Sequence, residues 1–319
     1  MATGVEGDPR IVTLTLNPTV DIACAAPAVV PTHKIRTSNE RLDPGGGGIN
    51  VARVLHSLGT DALALVMTGG VTGRVVEELL DENGVRWRAL PVHGRTRICL
   101  NVHDMQSKLE YRFVAEGPEV SEAEWRGALD ALRVVKAGWV VASGSLPRGV
   151  PTSFYADAAT IAAGRGQRFV LDTSGAALRA SLGQGIEVLK LSLGEFEFLI
   201  GETVRELEQQ KRAAAALQQR RAARMIAVSL GSGGALLAGP KGVAHCPAPP
   251  VEERSSVGAG DSFVAGLVSG LAQGMAEENA LALAVAAGSA AVGAYGTALV
   301  NREDVERLFR GLCSGKGRA

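Results

Sequence analysis

The sequence predicts an α/β protein: a mostly parallel sheet covered on both faces by helices, with a small second sheet standing off it as a lid. Short apolar runs alternate with stretches of helical period along most of the chain, the rhythm of a buried parallel sheet. Apolar residues make up 46% of the sequence but aromatics only 4%, with 40 glycines, a composition suited to many close-packed helices. Two stretches, residues 22–43 and 96–116, break the rhythm and alternate polar with apolar residues.

In chain order, residues 1–10 are polar with no apolar core and read as a loose tail, not a signal peptide. Ile11–Asn17 reads as a strand ended by Pro18. Gly48–Leu58 reads as a helix, with Ile49, Ala52 and Leu55 at helical spacing and Gly59 as its stop. Ala62–Met67 is an apolar strand, Thr72–Glu82 a helix with Val75, Val76, Leu79 and Leu80 inward, and Val85–Pro91 a further strand. The helix from Ser121 to Val135 opens on a capping box, Ser121 and Glu124, and is expected to bury Trp125, Leu129 and Leu132. Trp139–Ala142, Phe169–Leu171, Val188–Leu189 and Met225–Ser229 are short apolar strands, mostly separated by helices. The basic, Gln-rich run 209–224 reads as a solvated surface helix, and Ala280–Ala294, too short to span a bilayer, as a buried one. Arg97–His103 and Leu109–Val114 are expected as lid strands, with ordinary edge hairpins as the alternative. The expected organisation is one domain over residues 11–310, with lid segments 22–43 and 96–116 and a tail at 311–319.

With 33 basic and 33 acidic residues the formal net charge is zero, so nothing favours nucleic acid or an anionic membrane as partner. Cys24, Cys99, Cys246 and Cys313 are scattered without a Cys-x-x-Cys pair, which points to reduced thiols and a reducing, cytoplasmic setting.

The chemistry concentrates in two glycine clusters. In Arg254-Ser-Ser-Val-Gly-Ala-Gly-Asp261-Ser-Phe, the residues Gly258, Ala259 and Gly260 precede an apolar run of helical spacing, Phe263–Leu271. They would sit at a helix N-terminus, whose unpaired N–H donors and partial positive charge suit a phosphate. Asp261, in the first turn, is placed to take a proton from a hydroxyl attacking that phosphate; the alternative is that it merely caps the helix. The second cluster is Asp43-Pro-Gly-Gly-Gly-Gly-Ile-Asn50-Val-Ala-Arg53, whose glycines allow close approach by a polar ligand and whose Asn50 could bind sugar hydroxyls. Neither cluster is Gly-x-Gly-x-x-Gly after a strand, and no P-loop is present, so any nucleotide phosphate is held another way. Asp21, just after the first strand, is a ligand group or a turn residue following Pro18. Lys34 and Arg36 on one lid segment and Arg97 on the other, with Arg95 nearby, form a group of cations fit for a phosphate, although each alone reads as a solvated charge.

Gly-Gly-Gly-Gly-Ile-Asn-Val-Ala-Arg early and Val-Gly-Ala-Gly-Asp-Ser late, in that order, resemble the two signatures of the ribokinase-like (phosphofructokinase B) carbohydrate kinases. Leu16-Asn-Pro-Thr-Val-Asp21, Ser143-Gly-Ser-Leu-Pro147, Asp172-Thr-Ser-Gly175, Ser229-Leu-Gly231 and Ala286-Ala-Gly-Ser-Ala290 fit the same pattern, so the resemblance spans residues 11–310. It implies a three-layer ribokinase-like sandwich with a β lid, and a homodimer formed through that lid. It implies ATP as co-substrate, magnesium, and a monovalent cation such as potassium. By position, Asp261 would be the base and the N–H groups of Gly258, Ala259 and Gly260 the anion hole. Asp21, Gly46, Gly47, Asn50 and Ser145 would hold the sugar, and Lys34, Arg36 and Arg97 its phosphate. Lys190, Ser192, Ser229, Gly231 and Ser289 match ATP-contacting positions, and Glu195 the carboxylate that organises magnesium through water. The carbonyls of Ser255, Val257, Ala291, Ala294 and Gly296 match the monovalent-cation site.

Within the family, the Gly47 variant of the first signature resembles the minor B-type 6-phosphofructokinases, where 1-phosphofructokinases and tagatose-6-phosphate kinases usually have lysine. The implied reaction is ATP-dependent phosphorylation of fructose 6-phosphate at its 1-hydroxyl. The alternatives are another sugar phosphate, tagatose 6-phosphate or fructose 1-phosphate, or a sensor that binds sugar phosphate without turnover. Lys190-Leu191-Ser192 departs from the family's Lys-Pro-Asn, and the shorter hydroxyl of Ser192 puts its contact to ATP or magnesium-bound water in question, while Glu195 is kept.

Overall fold

The computed structural model describes residues 8–293 and 300–315. The elements run β1 (Ile11–Thr15), β2 (Thr19–Ala26), β3 (Ser38–Gly45), α1 (Gly47–Ser57), β4 (Ala62–Thr68), α2 (Gly70–Glu82), β5 (Trp87–Pro91), β6 (Arg97–Asp104) and β7 (Glu110–Val114). They continue with α3 (Glu122–Val134), β8 (Trp139–Ser143), α4 (Phe154–Gly164), β9 (Arg168–Asp172), α5 (Gly175–Ser181), β10 (Ile186–Ser192), α6 (Leu193–Ile200) and α7 (Leu207–Gln219). The chain closes with β11 (Met225–Ser229), β12 (Ala235–Gly239), β13 (Gly242–Cys246), α8 (Ala259–Ala272), α9 (Glu277–Val292) and α10 (Arg302–Gly315).

Nine strands form the large sheet in the order β13-β12-β11-β10-β9-β8-β1-β4-β5. From β11 to β5 every neighbour is parallel. Strand β1 is buried at every residue because it is central and both its faces are covered. Val12 and Leu14 pack under α3 to α7, and Ile11 packs on the other side against α1 and α8 to α10. The result is three layers, and no helix among the described residues is long and apolar enough to cross a membrane.

The far edge differs from the sequence reading. Strands β12 and β13 add an antiparallel hairpin to the sheet, in a glycine-rich region that has no helix to separate its strands. Trp125, expected to be buried, is half-buried and meets Phe154 edge to face at 6.4 Å. The capping box of α3 forms as expected, Glu124 accepting from both the N–H and the hydroxyl of Ser121.

A second sheet of four strands, β3-β2-β6-β7, stands off the first. Its strands start at Thr19 and Arg97, immediately beyond the carboxyl ends of β1 and of the β5 connection. The strand order of the large sheet reverses at β1, where β8 lies on one side and β4 on the other. Ligands of open α/β sheets bind in the crevice outside such a reversal. The small sheet roofs that crevice.

Candidate active site

Gly258, with φ 74°, turns the chain into α8, and Asp261 falls in the first turn of that helix. Its carboxylate accepts from Asn50 Nδ2 at 2.9 Å on Oδ2 and from the Ser143 hydroxyl at 3.2 Å on Oδ1. The Ser143 hydroxyl also lies 3.2 Å from Asp172 Oδ2. Burial raises Asp261 to about 6, with the charge of Asp172 adding to it and Asn50, Lys190 and Ser143 opposing. A carboxylate in this range is ionised at neutral pH and still basic enough to accept a proton.

Lys190 lies beneath this turn. Its Nζ is 3.2 Å from Asp172 Oδ1, and a β-carbon on Gly260 would come within 3.0 Å of it. Burial pulls the lysine down, but Asp172, Glu195 and Asp261 together leave it above its ordinary range. Asp172 ends β9 and Lys190 stands directly opposite it on β10, so the pair is a product of strand register.

The first glycine cluster becomes the β3–α1 turn. Gly46 has φ 113°, which only glycine adopts without strain. A β-carbon on Gly47 would lie 2.2 Å from Ser143 Oγ, so glycine is what lets the turn sit this close to β8 in this chain. Asn50 is thereby brought from α1 to Asp261 across 211 residues of chain.

Beside these groups is a cavity of about 210 Å³ lined by Asp21, Gly46, Gly47, Asn50, Gly258 and Asp261 from below, and by Arg97, Cys99, Asn101 and Arg112 from the lid. Asp21 is raised to about 6 by burial, with Thr19, Arg97 and Arg112 opposing and Asp43 adding. The Arg97 guanidinium donates to Ala115 O and Asn17 O, both at 2.9 Å, so it braces the lid where β6 leaves the main body. Arg112, on β7, lines the cavity, and its guanidinium makes no hydrogen bond or close ion pair among the described residues, though its charge acts on Asp21.

The remaining predicted residues fall in several places. Lys34 and Arg36 are exposed between β2 and β3, and Ser145 is exposed with its hydroxyl 3.3 Å from Asn17 Nδ2; none of the three lines the cavity. Ser192 caps α6 in a reciprocal box with Glu195, whose Oε2 accepts from the Ser192 N–H and hydroxyl, both at 2.8 Å. Ser229 ends β11 and Gly231 follows it, and Ser289 is buried on α9. Arg254 and Ser255 donate backbone N–H groups to Val292 O at 3.0 and 3.2 Å, which lays the 254–257 loop against the carboxyl end of α9, near Ala291. Ala294 and Gly296 lie outside the described residues.

Among the described residues no three His, Cys, Asp or Glu side chains group as an all-protein metal site. Magnesium does not need one, since it retains waters and takes one or two carboxylates plus substrate phosphates. Glu195, with only Oε2 committed to its helix cap, fits that donor set. The sequence reading missed three groups at the centre: Ser143, Asp172 and Arg112. A strand-end polar residue in Trp139–Ser143 and Arg168–Asp172 was the available signal for the first two, and alternation along β7 for the third.

These features are those of a carbohydrate kinase. A family model described as pfkB family carbohydrate kinase matches residues 14–304. The ATP-dependent 6-phosphofructokinase isozyme 2 of Mycobacterium tuberculosis is 42% identical over 306 residues, covering 95% of this chain and 90% of that protein. The crystal structure of phosphofructokinase-2 from Escherichia coli in complex with potassium matches with a TM-score of 0.91 at 36% identity, covering 96% of this chain and 99% of that one. The same enzyme in complex with fructose-6-phosphate matches with a TM-score of 0.90 at 34% identity, with the same coverage. The chain belongs to the pfkB family of carbohydrate kinases.

Proposed function

We propose that the chain transfers the terminal phosphoryl group of ATP to the 1-hydroxyl of fructose 6-phosphate, giving ADP and fructose 1,6-bisphosphate. The observation that carries this reading is one cavity with Asp261 at a helix N-terminus on one wall and two lid arginines, Arg97 and Arg112, on the other. Those walls suit a sugar with a hydroxyl at one end and a phosphate at the other. The family relatives named above act as support.

Asp261 Oδ atoms, held by Asn50 and Ser143, take the proton from the attacking hydroxyl. The N–H groups of Gly258 and Gly260, and that of Ala259 in exchange for its 3.4 Å bond to Ser256 O, face the phosphoryl group in transfer, and Lys190 below them adds positive charge. Asp21, Asn50, Gly46 and Gly47 orient the sugar hydroxyls. Arg112 reads the sugar's phosphate with its uncommitted guanidinium, while Arg97 fixes the lid and lends charge. Lys34 and Arg36 take part only through pairing of two lids in a homodimer, which would also cover the exposed Leu42, Ile98, Phe113 and Val114. ATP lies along the carboxyl ends of β10 and β11, past Ser192, Ser229, Gly231 and Ser289. Magnesium, held through water by Glu195, would neutralise charge on the nucleotide phosphates. Carbonyls of Ser255 and Val257, in the loop before α8, and of Ala291, in the last turn of α9, suit potassium.

A coupled ADP-release assay over fructose 6-phosphate, tagatose 6-phosphate and fructose 1-phosphate tests the reading. The highest kcat/KM is expected with fructose 6-phosphate; preference for another sugar would overturn the substrate, and no turnover with any would leave the sensor.

A further inference from the structure

We infer that the buried ion pair of Arg53 with Asp43 is a positioning device for the sugar cavity, pinning lid strand β3 to helix α1 and setting the charge beside Asp21. This rests on the reading of Asp21 as a sugar ligand.

Arg53 follows Asn50 by three residues, so α1 offers Asn50 to the cavity and carries Arg53 back beneath the lid. Arg53 is 5% exposed and Asp43 7%. Arg53 Nη2 is 2.9 Å from Asp43 Oδ1, and Arg53 Nε donates to Asn83 Oδ1 at 3.2 Å, at the carboxyl cap of α2. Arg41 Nε reaches the other Asp43 oxygen at 2.7 Å. One guanidinium therefore joins α1, α2 and β3. Stability alone does not call for such a pair, since well-packed apolar residues usually serve as well in a core.

Strand register supplies the reason. On the antiparallel β2–β3 ladder, Asp21 stands directly opposite Asp43. Directly opposed like charges repel. Arg53, with Arg41, compensates the hidden carboxylate so that Asp21, which lines the cavity, can stay charged. The other groups facing Asp21 are Arg97 and Cys99 from β6, Arg112 from β7, Asn50 from α1 and Asp261 from α8 across the cavity. Helix α2 meets β2 through Val20 and Ile22, on the opposite face of the strand. Burial already places Asp21 at about 6, and Asp43 contributes to that rise, so a change in its compensation acts within the working pH range. Protonated Asp21 would donate where the sugar needs an acceptor.

The test is a carbon-13 NMR titration of the Asp21 carboxyl, assigned by its loss in Asp21→Asn, in the full chain and in two variants. Arg53→Met should move the Asp21 midpoint up by about half a pH unit or more, and Asp43→Asn should move it down. Both variants break the same contact, so a purely structural pair would disturb Asp21 alike in both. Movement in one direction in both, or none in either, overturns the inference. Where Arg53→Met lowers the yield of folded protein, Arg41→Gln replaces it, with a smaller upward movement expected. The ratio of the fructose 6-phosphate KM at about pH 6 to that at about pH 8 should rise in Arg53→Met and fall in Asp43→Asn. The substrate's own phosphate titrates identically in each and drops out of the comparison. If the midpoints separate as expected but the KM ratios do not follow, the electrostatic role stands and the reading of Asp21 as a sugar ligand fails.

Discussion

Asp261→Asn is expected to lower turnover and raise stability together, from a single cause. In the native site burial raises this carboxyl from 3.8 to about 6. At neutral pH the fold therefore holds an ionised group in surroundings that disfavour it, a cost on the order of 3 kcal/mol. An asparagine removes that cost. It also keeps only one acceptor oxygen, so one of the bonds from Asn50 or Ser143 is lost, which takes back roughly 1 kcal/mol. The net gain above pH 6 is about 1–2 kcal/mol, or a rise in Tm of a few degrees. The sign of its pH dependence follows from the raised value. The cost is present in full above about 6 and fades as the native carboxyl takes up a proton, reaching zero near 3.8, where the unfolded chain is protonated too. Urea unfolding at about pH 7.5 should therefore favour the variant, whereas near pH 4 little but the lost bond is left and wild type should be the more stable, by about 1 kcal/mol at most.

Turnover of Asp261→Asn should fall by about 10²–10⁴, with ATP affinity nearly unchanged, since a base acts on the hydroxyl and not on the nucleotide. The same carboxyl should give the wild-type rate an acid limb near pH 6. A variant less stable than wild type by the same amount at every pH would show that Asp261 is a structural cap. A variant with near wild-type turnover would remove it from the role of base.

Arg112→Ala should weaken use of fructose 6-phosphate by about 2–4 kcal/mol in kcat/KM and leave free fructose nearly indifferent, whereas Arg97→Ala, which also cuts two tethers of the lid, should harm both sugars; equal losses at Arg112 would mean that it does not read the phosphate. Glu195→Gln should raise the magnesium concentration needed for half-maximal rate several-fold while leaving Tm within about a degree, because glutamine also completes a capping box with Ser192; a large fall in Tm with unchanged magnesium dependence would assign Glu195 to the helix alone. Replacing a bulky organic cation by potassium at constant ionic strength should raise the rate, and an unchanged rate would leave the loop at Ser255 without a cation role.

How much of this was legible in the sequence depends on how far each feature reaches along the chain. The parallel strands β1, β4, β8 and β11 were legible because a strand buried on both faces is a nearly continuous apolar run, broken here only by threonines and strand-end serines. The lid was legible because one face of its strands is wet, and alternation shows that. The β12–β13 hairpin was not, because Ala235–Gly239 and Gly242–Cys246 sit in glycine-rich chain that reads as loop until the edge of the sheet is there to receive it. The box of Ser192 with Glu195 is a local spacing, Ser-x-x-Glu, and was legible in the sequence as the start of a helix.

The centre of the site shows the same division. Asp261 declares itself through the glycines before it and the helix after it. Ser143, Asp172 and Lys190 declare nothing alone, since their meeting depends on which strands are neighbours and in what register. Yet, after burial, which raises Asp261 most, it is these groups together with Asn50 that adjust its protonation. Asp172 pushes it up, Lys190 and Ser143 pull it down, and Asp172 is itself held by the same lysine. A chain with zero formal charge has thus gathered carboxylates at the place where two anionic substrates would meet. That is tolerable only because each is countered locally: Asp172 by Lys190, Asp43 by Arg53, Asp21 by Arg97 and Arg112, and Asp261 in part by Lys190 and the first turn of α8. Local compensation makes the charge at each carboxylate adjustable by its neighbours, and so the sequence can name the base while only the fold determines how basic it is.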